Sequence, residues 1–169
     1  MKGYTFKSYN EVNMARAIGM ALPISFKQSV EICRFIRNKN ISNAKEMLQD
    51  VVKKKAAVPF RRFNFDLGHK KKIGPGRYPQ KASEEFIKLI ENVEANAQFK
   101  GLNTSNLTIA HISAHRAGKI WHFGRKSRRR MKRTNVEIIV EETANKDESN
   151  KEAKTKAMDK VKKEKTPKR

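Results

Sequence analysis

The sequence has very little cysteine and no long apolar run. Cys33 is the only cysteine among 169 residues, which excludes an internal disulfide and a multi-cysteine zinc site. An unpaired cysteine is usually buried, and we expect Cys33 to be so. No apolar run approaches the roughly 18 residues of a membrane span, and the first seven residues lack the apolar segment of a secretory signal. We therefore expect a protein that stays inside the cell and has no membrane partner.

Acidic residues are scarce relative to basic ones. The chain has 39 Lys and Arg against 17 Asp and Glu, which gives a formal charge of +22. An excess of this size indicates a polyanionic partner. Because 37% of the residues are hydrophobic, the chain can build one modest core but not two large ones.

A composition change near residue 143 divides the chain. Residues 144–169 hold ten basic and five acidic side chains with few apolar ones, so +17 of the +22 charge lies on the preceding part. A stretch with so little to bury cannot offset the entropy lost on ordering. The sequence therefore predicts a folded domain over residues 1–142 and a basic, disordered tail over residues 143–169.

Two helices are predicted in the first third of the chain from apolar residues at helical spacing. The first covers residues 25–38, where Ser25 and Gln28 stand three residues apart, as in a capping box. The second covers residues 43–54, with Ser42 as its N-cap. A further helical turn or two is predicted between residues 10 and 21, before Pro23 ends it.

A third helix is predicted after Ser83, with Gly101 as its stop. The side chains expected to form its buried stripe are Phe86, Ile90, Val93 and Ala97. Its acidic residues are interpreted as a solvated face rather than as paired catalytic carboxylates: Glu84, Glu85, Glu91 and Glu94.

Period-2 alternation predicts strands over residues 107–114 and 136–140. The segment between them is too long and too charged for a tight turn, which favours a hairpin over about residues 116–134 that extends beyond the body. Residues 4–6 are expected to add a third strand. The predicted fold class is α+β: three helices packed on a small antiparallel sheet, with a long extended β-hairpin and a disordered basic C-terminal tail.

Residues 53–81 lose periodicity and predict a long basic loop. Loops longer than about 12 to 15 residues are uncommon unless they are functional or disordered, so we expect this one to order against a partner. The sequence Gly74-Pro75-Gly76 lacks the preceding strand, following helix and lysine of a nucleotide-binding loop, and is interpreted as plain loop. The cations predicted to contact RNA here are Arg61, Arg62, Lys70, Lys71, Lys72 and Arg77.

Residues suited to catalysis or metal binding do not form a recognisable motif. His111 and His115 lie on a predicted strand, where their spacing corresponds to about 13 Å, so we expect them not to share a zinc ion. No nucleophile, base and orienting group converge by motif. The sequence predicts a non-enzymatic protein with no catalytic residue, cofactor or metal.

The most informative segment lies within the predicted hairpin, where two aromatic residues precede seven basic ones. Guanidinium groups pair bidentately with phosphate, and aromatic rings stack on unpaired bases. A solvated charge run or a nuclear-targeting signal is the alternative, but neither needs a rigid stem of two strands. The residues predicted to bind RNA are Arg116, Lys119, Trp121, His122, Phe123, Arg125, Lys126, Arg128, Arg129, Arg130, Lys132 and Arg133.

Six sequence blocks occur in an order that resembles one known family. They are Leu22-Pro23-Ile24-Ser25-Phe26-Lys27, Arg34-Phe35-Ile36-Arg37, Val58-Pro59-Phe60-Arg61-Arg62, Gly74-Pro75-Gly76-Arg77-Tyr78-Pro79, Asn92-Val93-Glu94-Ala95-Asn96-Ala97 and His111-Ile112-Ser113-Ala114-His115-Arg116. Over about residues 1–142 the chain resembles the universal large-subunit ribosomal protein family numbered twenty-two in bacteria and seventeen in eukaryotes. The insertion over residues 58–79 resembles the archaeal and eukaryotic branch.

This resemblance implies a structural constituent of the cytoplasmic ribosome that binds large-subunit ribosomal RNA and supports assembly. It implies a body on the outer surface of the subunit near the polypeptide exit, and a hairpin that lines the exit tunnel. The implied partners are ribosomal RNA, neighbouring ribosomal proteins and the nascent polypeptide. Phe123-Gly124-Arg125 is similar to part of the family's hairpin block, but the segment is shorter, and four of the residues 126–130 are basic where small residues are usual.

Composition alone also permits an architectural nucleic-acid-binding protein outside the ribosome, or a small nuclease. A nuclease needs a catalytic acid or metal-ligand set, which the sequence does not offer. An architectural DNA-binding protein usually has one defined groove-reading element. Here the basic residues are spread over a loop, a hairpin and a tail, which favours an irregularly folded RNA.

Overall fold

Three helices and six strands form within residues 4–143, the part of the chain that the computed structural model describes. Their order is β1 (Met14–Leu22), α1 (Phe26–Ile36), α2 (Ile41–Val52), β2 (Val58–Pro59), β3 (His69–Lys70), β4 (Gly74–Arg77), α3 (Gln80–Phe99), β5 (Leu107–Arg116) and β6 (Thr134–Glu142). The predicted α+β class is confirmed. The predicted tail lies outside the described residues except for Thr143, which hydrogen-bonds to the carbonyl oxygen of Asn106.

The main sheet is antiparallel with the order β1-β6-β5, so β6 is its central strand. Val136, Ile138 and Val140 belong to the core under the helices, while Glu137 and Ile139 are buried on the opposite face. The β5–β6 register shifts between Ile109 and His111, a bulge in an otherwise continuous ladder. The two hairpin strands therefore start from a β5–β6 pairing whose side chains are buried on both faces of the sheet.

The three helices cover one face of this sheet. α1 packs on β5, α3 packs on β1, and α2 packs on α3, where Lys45 forms an ion pair with Glu94. The predicted stripe of α3 is fully buried, and so is Cys33. Burial raises the pKa of the Cys33 thiol to about 12, which makes it a small core side chain rather than a nucleophile.

The helix termini differ from the predicted ones in detail. Ser25 occupies the N-cap position of α1, but its side chain makes no capping hydrogen bond, so the predicted capping box is wrong. The N-cap of α2 is Asn40, whose side chain accepts from the Ser42 N–H, and not Ser42 itself. α3 begins at Gln80, ahead of Ser83, with Pro79 at the N-cap position and without a side-chain capping hydrogen bond.

The predicted stop of α3 is confirmed. Gly101 has a φ of +77°, a conformation that glycine adopts without steric cost. The Gly101 N–H donates to Gln98 and the Leu102 N–H donates to Ala97, the paired bonds of a Schellman motif.

The third strand of the sheet is β1, which corrects two predictions. Residues 10–21 were expected to be helical and residues 4–6 to form the strand, whereas Met14–Leu22 pairs with β6. Ala and Met are good helix formers, so local propensity misleads here. Pairing with β6 satisfies the backbone of this segment and buries Ala15 and Ala17, and this tertiary gain outweighs the local preference.

The N-terminal segment crosses the sheet face that the helices leave uncovered. The Thr5 N–H and hydroxyl both donate to the carboxylate of Glu137, which is 1% exposed. Ser113 donates to the same carboxylate at 2.7 Å, and the Phe6 ring lies against His111 with centroids 5.0 Å apart. Burial alone would raise the pKa of Glu137, but hydrogen bonds from Thr5, Ser113 and His111 outweigh it and lower the pKa to about 2.

Residues 53–81 contain a second small sheet rather than only loop. Its order is β2-β4-β3, and all pairs are antiparallel. The Gly74-Pro75-Gly76 sequence lies in β4, so its interpretation as plain loop is wrong. A Cβ on Gly76 would lie 3.2 Å from the Val58 carbonyl oxygen, so glycine permits this close strand approach. No helix within residues 4–143 is both long and apolar enough to cross a membrane.

Replacing Val93 with Asp is expected to lower the free energy of unfolding by about 3 kcal/mol or more, because Val93 is fully buried in α3 and the new charge has no partner. Urea denaturation followed by circular dichroism measures the change. Asn92→Asp adds the same group at the adjacent, exposed position and should change stability little. Equal stability of the two variants would contradict the observed orientation of α3.

The low pKa of Glu137 predicts loss of stability in acid. Because the folded pKa of about 2 lies below the ordinary value of 4.5, the carboxylate stabilises the fold above pH 4.5, and this contribution is lost as pH falls toward 2. Glu137→Gln should flatten the dependence of unfolding free energy on pH in this window, whereas the exposed Glu91→Gln should not. Parallel curves for the two variants would count against the role assigned to Glu137.

Candidate nucleic-acid interface

The hairpin continues the β5–β6 ladder beyond the sheet. The Ala117 N–H donates to Arg133, the Met131 N–H donates to Ile120 at 2.8 Å, and the His122 N–H donates to Arg129 at 2.9 Å. Residues 116–134 include nine Lys and Arg and no Asp or Glu. The segment is therefore a two-stranded, uniformly basic arm whose direction is set by the sheet.

The hairpin tip combines aromatic and basic side chains. Trp121 pairs with Arg130 across the hairpin, and the Arg130 guanidinium carbon lies 4.6 Å from the Trp121 ring centroid. This cation–π contact fixes the indole on the arm. Gly124, with a φ of +60°, begins a single 3₁₀ turn over Gly124–Lys126 that reverses the chain. Phe123 precedes this turn and is 86% exposed.

The structure places most of the predicted hairpin contacts on the surface. His122 and Arg133 are half-buried, and Arg133 donates to the Ala21 carbonyl oxygen at 3.2 Å, which braces the base of the arm against β1. The remaining predicted residues are exposed: Arg116, Lys119, Trp121, Phe123, Arg125, Lys126, Arg128, Arg129, Arg130 and Lys132.

The second predicted group lies on the small sheet. Arg61 and Arg62 are exposed on the turn after β2. Lys70 is half-buried, with its ammonium 5.6 Å from the Tyr78 ring centroid. The other three predicted cations of this group are exposed: Lys71, Lys72 and Arg77.

The two groups meet at the start of α1. One cleft between α1 and the base of the hairpin is lined by five cations: Lys27, Arg116, Lys119, Lys132 and Arg133. An adjoining cleft shares Lys27 and Lys132 and reaches Arg62 and Arg77 on the small sheet. The structure thus joins the hairpin base to the small sheet in one continuous basic surface, while the hairpin tip lies apart from it.

None of the predicted contact residues is ion-paired within residues 4–143. The ion pairs formed there are Lys45–Glu94 and Lys88–Glu85, and the Nε2 atoms of His111 and His115 contact Glu137. The interface cations thus keep their full charge toward solvent. A surface of this kind attracts a polyanion and gains by releasing the counterions of its phosphates.

Glu31 is a functional residue that sequence reasoning misses. Its carboxylate is fully buried and accepts the N–H groups of Arg61, Arg62 and Phe63 at 3.1, 2.8 and 2.8 Å. These bonds fix the turn that presents the two arginines. A lone glutamate on an amphipathic helix is typical of a solvent-facing position, so the sequence carries no signal for this role.

A further basic pocket was also missed. Arg34, Arg37, Lys39 and Arg61 line a cleft of about 510 Å³ between α1, α2 and β2. The Arg37 guanidinium donates to the Ile112 carbonyl oxygen at 3.0 Å, which holds it at the edge of the main sheet. The basic residues of the block at 34–37 are the signal that could have identified this pocket.

The two histidines are closer in space than the strand spacing implies. His111 and His115 lie on β5 as predicted, but both Nε2 atoms approach the same Glu137 oxygen, at 3.0 and 3.5 Å. The strand spacing of about 13 Å therefore does not describe the distance between the two rings, because both side chains lean toward the buried carboxylate. The described part of the chain has no cluster of three or more His, Cys, Asp or Glu side chains placed to hold a metal ion.

Comparison with known proteins identifies the class of this basic, α+β molecule. The family described as Ribosomal protein L22p/L17e matches residues 17–141. The chain belongs to this ribosomal protein family, and its role is structural rather than enzymatic.

Its relatives include archaeal proteins named large ribosomal subunit protein uL22. The one from Archaeoglobus fulgidus is 42% identical over 146 residues, which covers 82% of this chain and 94% of the relative. The one from Methanoculleus marisnigri is 44% identical over 140 residues, which covers 78% of this chain and 92% of the relative. The one from Thermoplasma acidophilum is 42% identical over 147 residues, which covers 84% of this chain and 96% of the relative. These matches fit the branch that the insertion at 58–79 indicated.

Replacing Glu31 with Gln is expected to release the turn at residues 61–63. An amide offers one acceptor oxygen where the carboxylate offers two, so at least one of the three N–H groups loses its partner, at a cost of about 1–3 kcal/mol. Hydrogen exchange of the 61–63 amides should accelerate, while the exposed Glu46→Gln on α2 should leave it unchanged. Unaltered exchange in Glu31→Gln would show that the carboxylate does not hold the turn.

Proposed function

We propose that this ribosomal protein is a structural constituent of the large subunit of the cytoplasmic ribosome, where it binds large-subunit ribosomal RNA and supports assembly. The relatives named as large-subunit proteins support the location. The observation that carries RNA binding is the continuous basic surface from the hairpin base to the small sheet, whose cations have no carboxylate partners within residues 4–143.

The domain extends over residues 1–142 and includes the hairpin at about 116–134. The body docks on RNA through the small sheet and the hairpin base, where Arg61, Arg62 and Arg77 meet phosphates. Lys70, Lys71 and Lys72, on β3 and the turn after it, add further charge to the small sheet. Guanidinium groups match phosphate oxygens in pairs, whereas lysines act as point charges, so the arginines fix position and the lysines add affinity.

The hairpin passes through the RNA and lines the polypeptide exit tunnel. Nine cations without a compensating acid can be taken out of solvent only among phosphates, which supports an RNA-surrounded position for the arm. Trp121 and Phe123 are exposed near its tip and offer surfaces to RNA bases, a neighbouring ribosomal protein or the nascent polypeptide. The β5–β6 ladder supplies the rigid stem.

An internal deletion tests this division of roles. Removing residues 119–132 and closing the hairpin with an Asn-Gly turn should leave the melting temperature of the body nearly unchanged, because these residues add little to the core. The deletion removes seven cations. If each neutralises a phosphate, the slope of log affinity for ribosomal RNA against log salt should fall by about 5 to 6.

The control changes the same charge elsewhere. It replaces seven tail lysines with Gln: Lys146, Lys151, Lys154, Lys156, Lys160, Lys162 and Lys163. An equal loss of slope in this control would show that the hairpin contacts are not specific. In assembled subunits, density for the intact hairpin should lie at the tunnel wall; density packed on its own body, or tighter binding to duplex DNA than to folded RNA, would contradict the proposal.

A further inference from the structure

The cleft between α1 and the small sheet contains an aromatic side chain with no stacking partner. This cleft, of about 480 Å³, lies among Lys27, Arg62, Phe65, Asp66, Arg77 and Lys132. Arg62, Arg77 and Lys132 are among the contacts predicted from sequence, whereas Lys27, Phe65 and Asp66 are not. Its volume lies within the range of small-ligand sites.

The aromatic rings around this cleft fall into two kinds. Phe26 and Phe63 pack edge to face with centroids 6.3 Å apart. Each is also covered by a cation: Arg116 lies 5.1 Å from the Phe26 centroid, and Lys27 lies 5.7 Å from that of Phe63. These two rings are already engaged: Phe63 lines this cleft, and Phe26 lines the adjoining cleft at the hairpin base.

Phe65 is the exception. It is 87% exposed and has no aromatic or cation–π contact within residues 4–143. An exposed phenyl ring gains nothing for folding, because its surface stays in water. Its face is open to a flat, apolar partner at the mouth of a cleft lined by four cations.

One carboxylate stands among these cations. Asp66 has a φ of +57°, a left-handed conformation that Asp tolerates better than most residues. It is not ion-paired within residues 4–143, although Lys27, Arg62, Arg77 and Lys132 line the same cleft. A carboxylate repels phosphate but can accept from a donor on a base, such as the amino group of cytosine, and exposed Asp66 is placed beside Phe65 to do so.

We infer that this cleft binds a single unstacked nucleotide of ribosomal RNA whose base carries an amino group. The base stacks on Phe65 and donates its amino hydrogens to Asp66, while Lys27, Arg62 and Lys132 hold the flanking phosphates. Paired RNA cannot enter in this way, because its base faces are covered by their neighbours. The inference rests on the proposed function and adds to it the kind of RNA feature that this side of the body recognises.

The probes are short RNA stems that differ at one position: one carries a single bulged cytosine, one a bulged uridine, and one is fully paired. Phe65→Leu in the full chain should weaken binding to the bulged-cytosine stem by about fivefold to a hundredfold, the usual range for losing one base–aromatic stack. Binding to the paired stem should not change. Phe99→Leu is the matched control, because Phe99 is 95% exposed on α3 outside this cleft.

A fluorescence measurement reports the stack directly. Trp121 is the only tryptophan, so Phe65→Trp combined with Trp121→Phe places the sole indole in the cleft. The bulged-cytosine stem should quench its emission and the paired stem should not. Asp66→Asn should reduce the preference for bulged cytosine over bulged uridine, because an amide can also donate to the uracil carbonyl.

The outcomes separate this inference from the proposed function. If every stem binds with steep salt dependence but Phe65→Leu behaves like Phe99→Leu, or if the paired stem quenches equally, the nucleotide site is refuted and RNA binding stands. If no stem binds, the proposed function itself fails. If Phe65→Leu alters only the retention of a neighbouring protein in assembled subunits, Phe65 is a protein contact and the inference is wrong.

Discussion

The pairing of β5 with β6 is the constraint on which the rest of the structure depends. In the sheet it is buried on both faces, by helices on one side and by the N-terminal segment on the other. The same two strands then leave the body and carry the basic arm. Because side chains alternate along a strand, the buried register also decides which hairpin side chains share a face. The packing of the core therefore also determines the geometry of the hairpin.

Two buried carboxylates connect irregular segments to this frame. Glu137 binds the N-terminal segment through Thr5, and Glu31 binds the 61–63 turn through three backbone N–H groups. In a chain with so large an excess of cations, these acids point inward and accept from backbone N–H groups, hydroxyl groups and histidine rather than from lysine or arginine. The positive field of the surface is thus left uncompensated while the segments that display it are held in place.

The sequence predicted the elements whose pattern is local and strong. The stripe of α3, its stop at Gly101 and the two hairpin strands follow from periodicity and glycine chemistry. β1 was missed because its Ala and Met residues favour a helix locally, and only pairing with β6 makes it a strand. Glu31 and the Arg34–Arg37–Lys39 pocket were missed because their roles arise from elements that are far apart in sequence.

The bulge between Ile109 and His111 makes the direction of the hairpin sensitive to the geometry of the sheet at its base. A bulge bends its strand and increases local twist, so it helps to set the direction in which the arm leaves the sheet. From this point to Phe123 the strand spans at most about 45 Å. A rotation of about ten degrees at the bulge would move the tip by up to about 8 Å, more than twice the 3.4 Å spacing of stacked base pairs. Small changes in the twist of the sheet therefore produce large displacements of the hairpin tip.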